Sequence, residues 1–253
     1  MTTGRYVFAP GSYDVGPTGT AHVAFICRAL QEAASRNAAE LGFGYSEMID
    51  EALIWVLVRL RVVIDRLPVW DEEITVETWP SGTHRLTAYR DFRVTSSDGS
   101  ASAVADTAWI AVNHETRRPV RMESVIAHDS ATIGPRLIGG ELPRVAPGTP
   151  AETGEPFVVR YSHIDRHNHV NNVRYIDWIL DAYPPEYHAT HTVKELTVAF
   201  TAETRYGDHV HVERCDGDPA VVTVRRGDGH PAASASIIWT PAPRTAAAET
   251  STP

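Results

Sequence analysis

The sequence predicts an α+β protein made of two copies of one unit, each an antiparallel sheet wrapped around a central helix. Three observations point there. The order of one helix followed by four strands occurs twice. The strands of the second half repeat those of the first at a constant offset, with Leu60 meeting Leu196, Val62 meeting Val198, Ile64 meeting Phe200, Ile74 meeting Val210 and Glu77 meeting Glu213. Such self-similarity is the mark of an internal duplication. The second helix, from Val173 to Leu180, is apolar almost all round and so belongs inside a sheet rather than on a surface.

Taken in order, a short strand-like opening leads into "HVAFICRALQEAASRNAAEL". There Val23, Ile26, Leu30, Ala33, Ala34 and Leu41 lie near one face, and Gly42 ends the helix. The segments "ALIWVLVRLRVVID", "EEITVETWP", "RLTAYRDFRVTSSDG" and "SAVADTAWIAVN" read as strands rich in β-branched and aromatic residues, with turns at Pro80-Ser81-Gly82 and Ser97-Asp98-Gly99. From about Ser130 to Pro156 the chain is rich in Gly and Pro and reads as a linker. Beyond it come a short strand in "FVVRYSHID", a helix in "NNVRYIDWILDAY" stopped by Pro184-Pro185, and strands in "KELTVAFTAE", "DHVHVERC", "AVVTVRR" and "AASASIIWT". The helices align at a second offset, which sets His22-Val23 against His169-Val170. This gives a first unit over residues 1–130, a linker over 131–156, a second unit over 157–241 and a disordered tail over 242–253.

Composition narrows the function. A length of 253 residues with 43% hydrophobic content supports a sizeable core. A formal charge of −9 argues against general nucleic-acid binding, which needs Lys and Arg to neutralise phosphates. Lys194 is the single lysine, so positive charge rests on arginine, as in the cluster Arg117-Arg118 with Arg121. No stretch is long and apolar enough for a membrane span, and the opening "MTTGRYVFAP" lacks the character of a secretory signal, so a cytoplasmic protein fits best. Cys27 and Cys215 alone provide neither a disulfide framework nor a paired-cysteine zinc motif.

The stretch "HIDRHNHVNNVRYIDW" crowds His163, Asp165, His167, Asn168, His169, Asn171 and Asn172 against the start of the apolar helix, and only the second half carries this cluster. Three readings compete. The asparagines could cap free backbone N–H groups at the helix start. His163, Asp165, His167 and His169, which on an extended segment point the same way, could hold a metal. Or the cluster could do acid–base chemistry, with the helix N-terminus polarising a carbonyl and holding a developing oxyanion.

The motif "DRHNHVNNVRYIDW" resembles the D-x-N-x-H-V-N-N-x-x-Y-x-x-W signature of the acyl-ACP thioesterases of plants and bacteria. "LQEAASRNAAELGFG", "IWVLVRLRVVIDRLPVWDEEITVETWPSG" and "WIAVNHETRRPVR" are similar to that family's first half. The resemblance runs from about Tyr6 to Trp239 and implies a tandem, or double, hot-dog fold. It implies an acyl-ACP thioesterase of fatty acid biosynthesis that hydrolyses fatty acyl-ACP to free fatty acid and carrier thiol. The motif aspartate falls on Asp165, its histidine on His169, and the family's further carboxylate on Glu203 in "FTAETRYGD", whose counterpart in the first half is Leu67. In the mechanism this implies, Glu203 is general base or nucleophile, His169 orients water or protonates the leaving thiolate, Asp165 fixes His169, and N–H groups near Asn171 and Asn172 hold the oxyanion. The first unit would line the acyl chain, with Trp55 and Leu57 as candidates.

Two positions depart from the family pattern. His167 replaces the motif asparagine, exchanging an amide for a group that titrates near neutral pH, and Thr204 replaces the cysteine that often follows the carboxylate. No cofactor or metal is expected. The expected partner is acyl carrier protein, met by the Arg117, Arg118 and Arg121 cluster, with acyl-CoA as an alternative carrier, and either a monomer or a homodimer is compatible with a duplicated chain. Hydration of an acyl thioester, or a binding role without turnover, are the competing functions.

Overall fold

A computed structural model describes residues 3–126 and 133–242. The first half contains β1 (Gly4–Phe8), α1 (Val23–Glu40), α2 (Tyr45–Asp50), β2 (Leu53–Ile64), β3 (Ile74–His84), β4 (Thr87–Ser96) and β5 (Ala101–Asn113). The second contains β6 (Glu152–Thr153), β7 (Phe157–Val158), α3 (Asn172–Leu180), α4 (Pro185–Thr190), β8 (His191–Phe200), β9 (His209–Cys215), β10 (Ala220–Arg226) and β11 (Pro231–Pro241).

All eleven strands form one antiparallel sheet in the order β1-β3-β4-β5-β2-β8-β11-β10-β9-β6, with β7 also on β9. The order is a mirror about the β2–β8 seam: β1, β3, β4, β5 and β2 on one side answer β7, β9, β10, β11 and β8 on the other. At the seam Arg61 faces Thr197, Leu60 faces Val198 and Val62 faces Leu196. Equivalent residues therefore cross over symmetrically, as a two-fold axis through the Arg61–Thr197 pair requires. The offset read from the strands is thus written into the register, and the fold is a double hot-dog.

Both helices lie in one continuous apolar core, where Ile26 and Leu30 of α1 and Ile176 and Ile179 of α3 are fully buried with Leu60, Leu196, Phe92 and Ile237. Six of the nine α3 residues are buried, as its nearly all-round apolar pattern demands. Each large aliphatic side chain buried there contributes about 1.5–3 kcal/mol. Pro185 at the first helical position of α4 starts a new helix after α3 has ended at Leu180.

Several local readings are corrected. Pro80-Ser81-Gly82 is not a turn: β3 runs through it with a bulge between Pro80 and Gly82, and the chain reverses at Arg85, which takes φ 55°. "FVVRYSHID" is a strand only at Phe157–Val158 and then closes into a short 3-10 turn over Tyr161–His163. α2, α4 and β6 were not foreseen in the sequence. The segment between the halves carries little regular structure in its described part, yet it is tied down. Trp79 Nε1 donates to Pro135 O at 2.8 Å, Leu137 N donates to Asp91 Oδ1 at 2.7 Å, and Arg59 donates to Leu142 O at 2.7 Å, with Leu142 buried. Of the tail expected to be disordered, residues 243–253 lie outside the described residues.

Candidate active site

The site forms where the loop before α3 meets the chain leaving β8. Ile164 and Val170 pair as an antiparallel bridge, and between them Asp165 N donates to His169 O at 2.9 Å and Asn168 N to Asp165 O at 3.0 Å. Asn168 closes this turn at φ 62°, a conformation that asparagine tolerates better than most residues. The alternation expected of an extended segment is therefore lost. His163, Asp165, His167 and His169 do not share a direction, and among the described residues no group of three or more His, Cys, Asp or Glu side chains is placed to hold a metal ion.

His169 and Glu203 come together. His169 Nε2 stands 3.0 Å from Glu203 Oε2. Three neighbours converge on that one oxygen: His169, Arg117 Nη2 at 2.5 Å and Arg205 Nη2 at 3.9 Å. Oε1 has no hydrogen-bond partner among the described residues, and the Glu203 side chain is 36% exposed. The next residue anchors the pair. Thr204 is fully buried, accepts from Val170 N at 2.9 Å through its carbonyl, and shares a 2.7 Å hydroxyl contact with Tyr175 of α3, whose phenol oxygen also accepts Thr204 N at 3.1 Å. A threonine at this position thus serves as a hydrogen-bonding peg between the strand exit and the helix. Burial lowers the imidazole pKa of His169; the Glu203 charge opposes this, whereas Arg205 and Arg117 reinforce it.

The other predicted residues take different places. Asp165 holds its own turn, accepting His167 N at 2.8 Å, and makes no ion pair with His169. His167 is exposed, and its ring lies against Tyr45 of α2, centroids 5.6 Å apart, while Arg166 stacks on the same ring. His163 packs edge-on against Trp178. Asn171 is the helix cap: its Oδ1 accepts Val173 N at 2.9 Å, and its own N–H goes to His163 O at 3.0 Å. Asn172 begins the helix, and its backbone N–H has no partner among the described residues. A cleft of about 640 Å³ borders Asp165 and Asn171, floored by Phe25 and Val173 and rimmed by Arg28 and Arg174. Leu57 is buried in the main core, whereas Trp55 donates to Phe43 O and packs beneath α2 in a separate cluster with Met48 and Met122.

The loop also corrects the helix alignment. His22 caps α1 where Asn171 caps α3. Gly16 N donates to Thr20 O at 3.0 Å and Gly19 N to Gly16 O at 2.9 Å, with Gly19 at φ 74°, reproducing the bonds and left-handed residue of the Asp165–His169 turn. Ala21 N donates to Pro68 O as Val170 N does to Thr204 O. His22 therefore answers Asn171, and the place of His169 belongs to Thr20. The repeated His-Val dipeptide had suggested otherwise because two side chains matched while the backbone did not.

Arg117 is the group the sequence did not place here. It lies 86 positions from Glu203, and only the fold brings the end of β5 to the exit of β8. Arg118 and Arg121, read with it as one cluster, are exposed.

A double hot-dog with an imidazole–carboxylate pair in only one of its copies defines a protein whose two copies share the scaffold and differ in these groups. Residues 5–129 match the acyl-ACP thioesterase N-terminal domain and residues 149–241 the acyl-ACP thioesterase C-terminal domain. The chain belongs to the acyl-ACP thioesterase family. It is 32% identical over 218 residues to a chloroplastic palmitoyl-acyl carrier protein thioesterase of Gossypium hirsutum, covering 78% of this chain and 51% of that one. It is 29% identical to a chloroplastic oleoyl-acyl carrier protein thioesterase of Coriandrum sativum over 88% of this chain and 66% of that one. The chain spans about half to two-thirds of the length of the curated relatives named among its matches. Among solved structures, an acyl-ACP thioesterase from Bacteroides thetaiotaomicron superposes with a TM-score of 0.84 at 27% identity, covering 94% of this chain and 98% of that one. A 12:0-ACP thioesterase from Umbellularia californica shares the fold with a TM-score of 0.82 at 23% identity, covering 95% and 98%.

Proposed function

We propose that this chain hydrolyses fatty acyl thioesters carried by acyl carrier protein, releasing free fatty acid and the carrier thiol. The observation that carries the reading is the His169–Glu203 pair, held with one carboxylate oxygen bound and the other open. Glu203 Oε1 takes a proton from water as its oxygen attacks the thioester carbon. The oxyanion that forms is met by the Asn172 N–H at the positive end of α3. As the C–S bond breaks, the proton that Glu203 took from water passes through His169 to the leaving sulfur, which returns both groups to their starting forms. Asp165 acts on the shape of the loop, and His167 contributes the N–H that ties Asp165 in place. No step calls for a cofactor.

Exposed Arg118 and Arg121, close in sequence to Arg117 at the site, supply positive charge on a chain of net −9 and favour an acidic carrier protein. No described helix is long and apolar enough to cross a membrane. The two free cysteines, one buried and one half-buried, suit a reducing compartment such as the cytoplasm.

The test is free-thiol release from acyl-ACP and acyl-CoA substrates of graded chain length, with product mass recorded. Release of carrier thiol with free fatty acid is expected, fastest from acyl-ACP. A product heavier by one water with the thioester intact would replace hydrolysis by hydration, and no turnover by folded protein would leave a binding role.

A further inference from the structure

Glu203 belongs to the second copy, but its closest charged neighbour is Arg117 of the first. The turn carrying Arg117 is built to hold one shape. Asn113 ends β5 and accepts Glu115 N and Thr116 N on its side-chain oxygen, at 3.1 and 2.8 Å. Arg117 N donates to Asn113 O at 2.8 Å, Asn113 N donates to Arg118 O at 2.9 Å, and His114 N donates to Ala52 O at 2.9 Å. Val112 and Pro119 close the base as a bridge. Within this frame Arg117 takes φ 59°, the left-handed region that a long side chain rarely occupies. A glycine or asparagine would fit that backbone more easily, so the strain is tolerated at the residue whose guanidinium comes nearest to the Glu203 carboxylate.

We infer that Arg117 is a positioning residue for hydrolysis, supplied across the seam by the first copy. By occupying Oε2 together with His169, it fixes the orientation of the carboxylate and leaves Oε1 as the oxygen that faces water. The inference rests on the hydrolase reading above. The groups around the pair are Arg117 from the turn after β5, Arg205 from the loop after β8, His169 and Asp165 from the loop before α3, Tyr175 from α3 itself and Arg226 of β10, which donates to Glu203 O at 3.3 Å. Two cations stand within 4.0 Å of Oε2, and Arg117 is the nearer.

The experiment compares wild type, Arg117→Ala, Arg117→Lys and Arg118→Glu on an acyl-ACP and on the matching acyl N-acetylcysteamine thioester, over a range of pH and with melting temperature recorded. Arg117→Ala is expected to lower kcat on both substrates by roughly tenfold to a hundredfold, a part of the about 10²–10⁴-fold that a placed general base supplies. Its acidic limb should move to higher pH, because His169 loses one of the cations that help burial hold its pKa down, and Arg117→Lys should recover part of both effects. Arg118→Glu should raise KM for acyl-ACP alone. Were Arg117→Ala to raise KM on acyl-ACP only, with kcat and the pH profile unmoved, Arg117 would be a carrier contact and the inference overturned. An unchanged Arg117→Ala enzyme would also overturn it. Absence of turnover by wild type on both thioesters would instead defeat the hydrolase reading.

Discussion

The turn from Gly16 to Thr20 and the turn from Asp165 to His169 share their backbone hydrogen bonds, their left-handed fourth residue and their docking onto the chain leaving a long strand. They share none of the side chains proposed for the chemistry: Gly16 stands for Asp165, Thr20 for His169 and Leu67 for Glu203. The loop conformation is thus a property of the hot-dog scaffold, and the proposed catalytic groups are side chains placed on it. Two capable backbones and one equipped site mean that a substitution can be judged against its own mirror position.

The largest separation is expected at the pair itself. Glu203→Gln should lower kcat by about 10²–10⁴-fold, the contribution typical of a general base, and His169→Ala should fall in the same range, while Thr20→Ala leaves turnover near wild type. Steady-state kinetics on acyl-ACP checks this, and a Glu203→Gln enzyme with near-normal turnover would show that the asymmetry is not catalytic.

The pH dependence comes next. Burial, with Arg205 and Arg117, depresses the His169 pKa, and burial with Arg174 and Arg160 depresses that of His163. The unfolded chain therefore binds protons on these groups before the folded one does, so their contribution to stability is present above the ordinary imidazole pKa and is lost as pH falls through the depressed values. Melting temperature against pH should drop on the acidic side, and His169→Gln should flatten part of the drop. A slope unchanged by that substitution would remove His169 as its source.

The smallest effect concerns the caps. Asn171→Ala removes a side-chain cap worth about 1 kcal/mol, which corresponds to a fall of roughly 2–4 °C in Tm for a chain of this size. His22 makes no side-chain cap bond, so His22→Ala should cost far less. Equal losses at the two sites would break the comparison at its simplest point.

How legible this was depends on whether a signal is local. The β2 and β8 strands announce themselves through runs of Val, Ile and Leu, and their offset returns as the register of the seam. Pro80-Ser81-Gly82 misleads because turn residues also make bulges, and the actual reversal at Arg85-Leu86 carries neither Gly nor Pro. α2 is six residues long with only Met48 buried, too short for a periodic pattern. In the candidate site, the motif and its spacing point to His169 and Glu203, which the fold brings within 3.0 Å of each other. His167 was read as part of the cluster because sequence proximity cannot show that a turn at Asn168 sends its ring towards Tyr45. Arg117 was assigned to carrier contact because its reach to Glu203 exists only after both halves have folded onto one sheet.

That single sheet has a further consequence at its ends. Unpaired strand edges are templates for unwanted association. By joining through β2 and β8, the chain puts strands of 12 and 10 residues in its middle, and its outermost strands are β1 with five residues and β6 and β7 with two each. Where β3 extends past β1, the Pro80 carbonyl is taken by Gly134 N at 2.8 Å. The segment between the halves thus doubles as edging: it shields a border that would otherwise invite other chains, and fusion has left little strand exposed for aggregation to begin on.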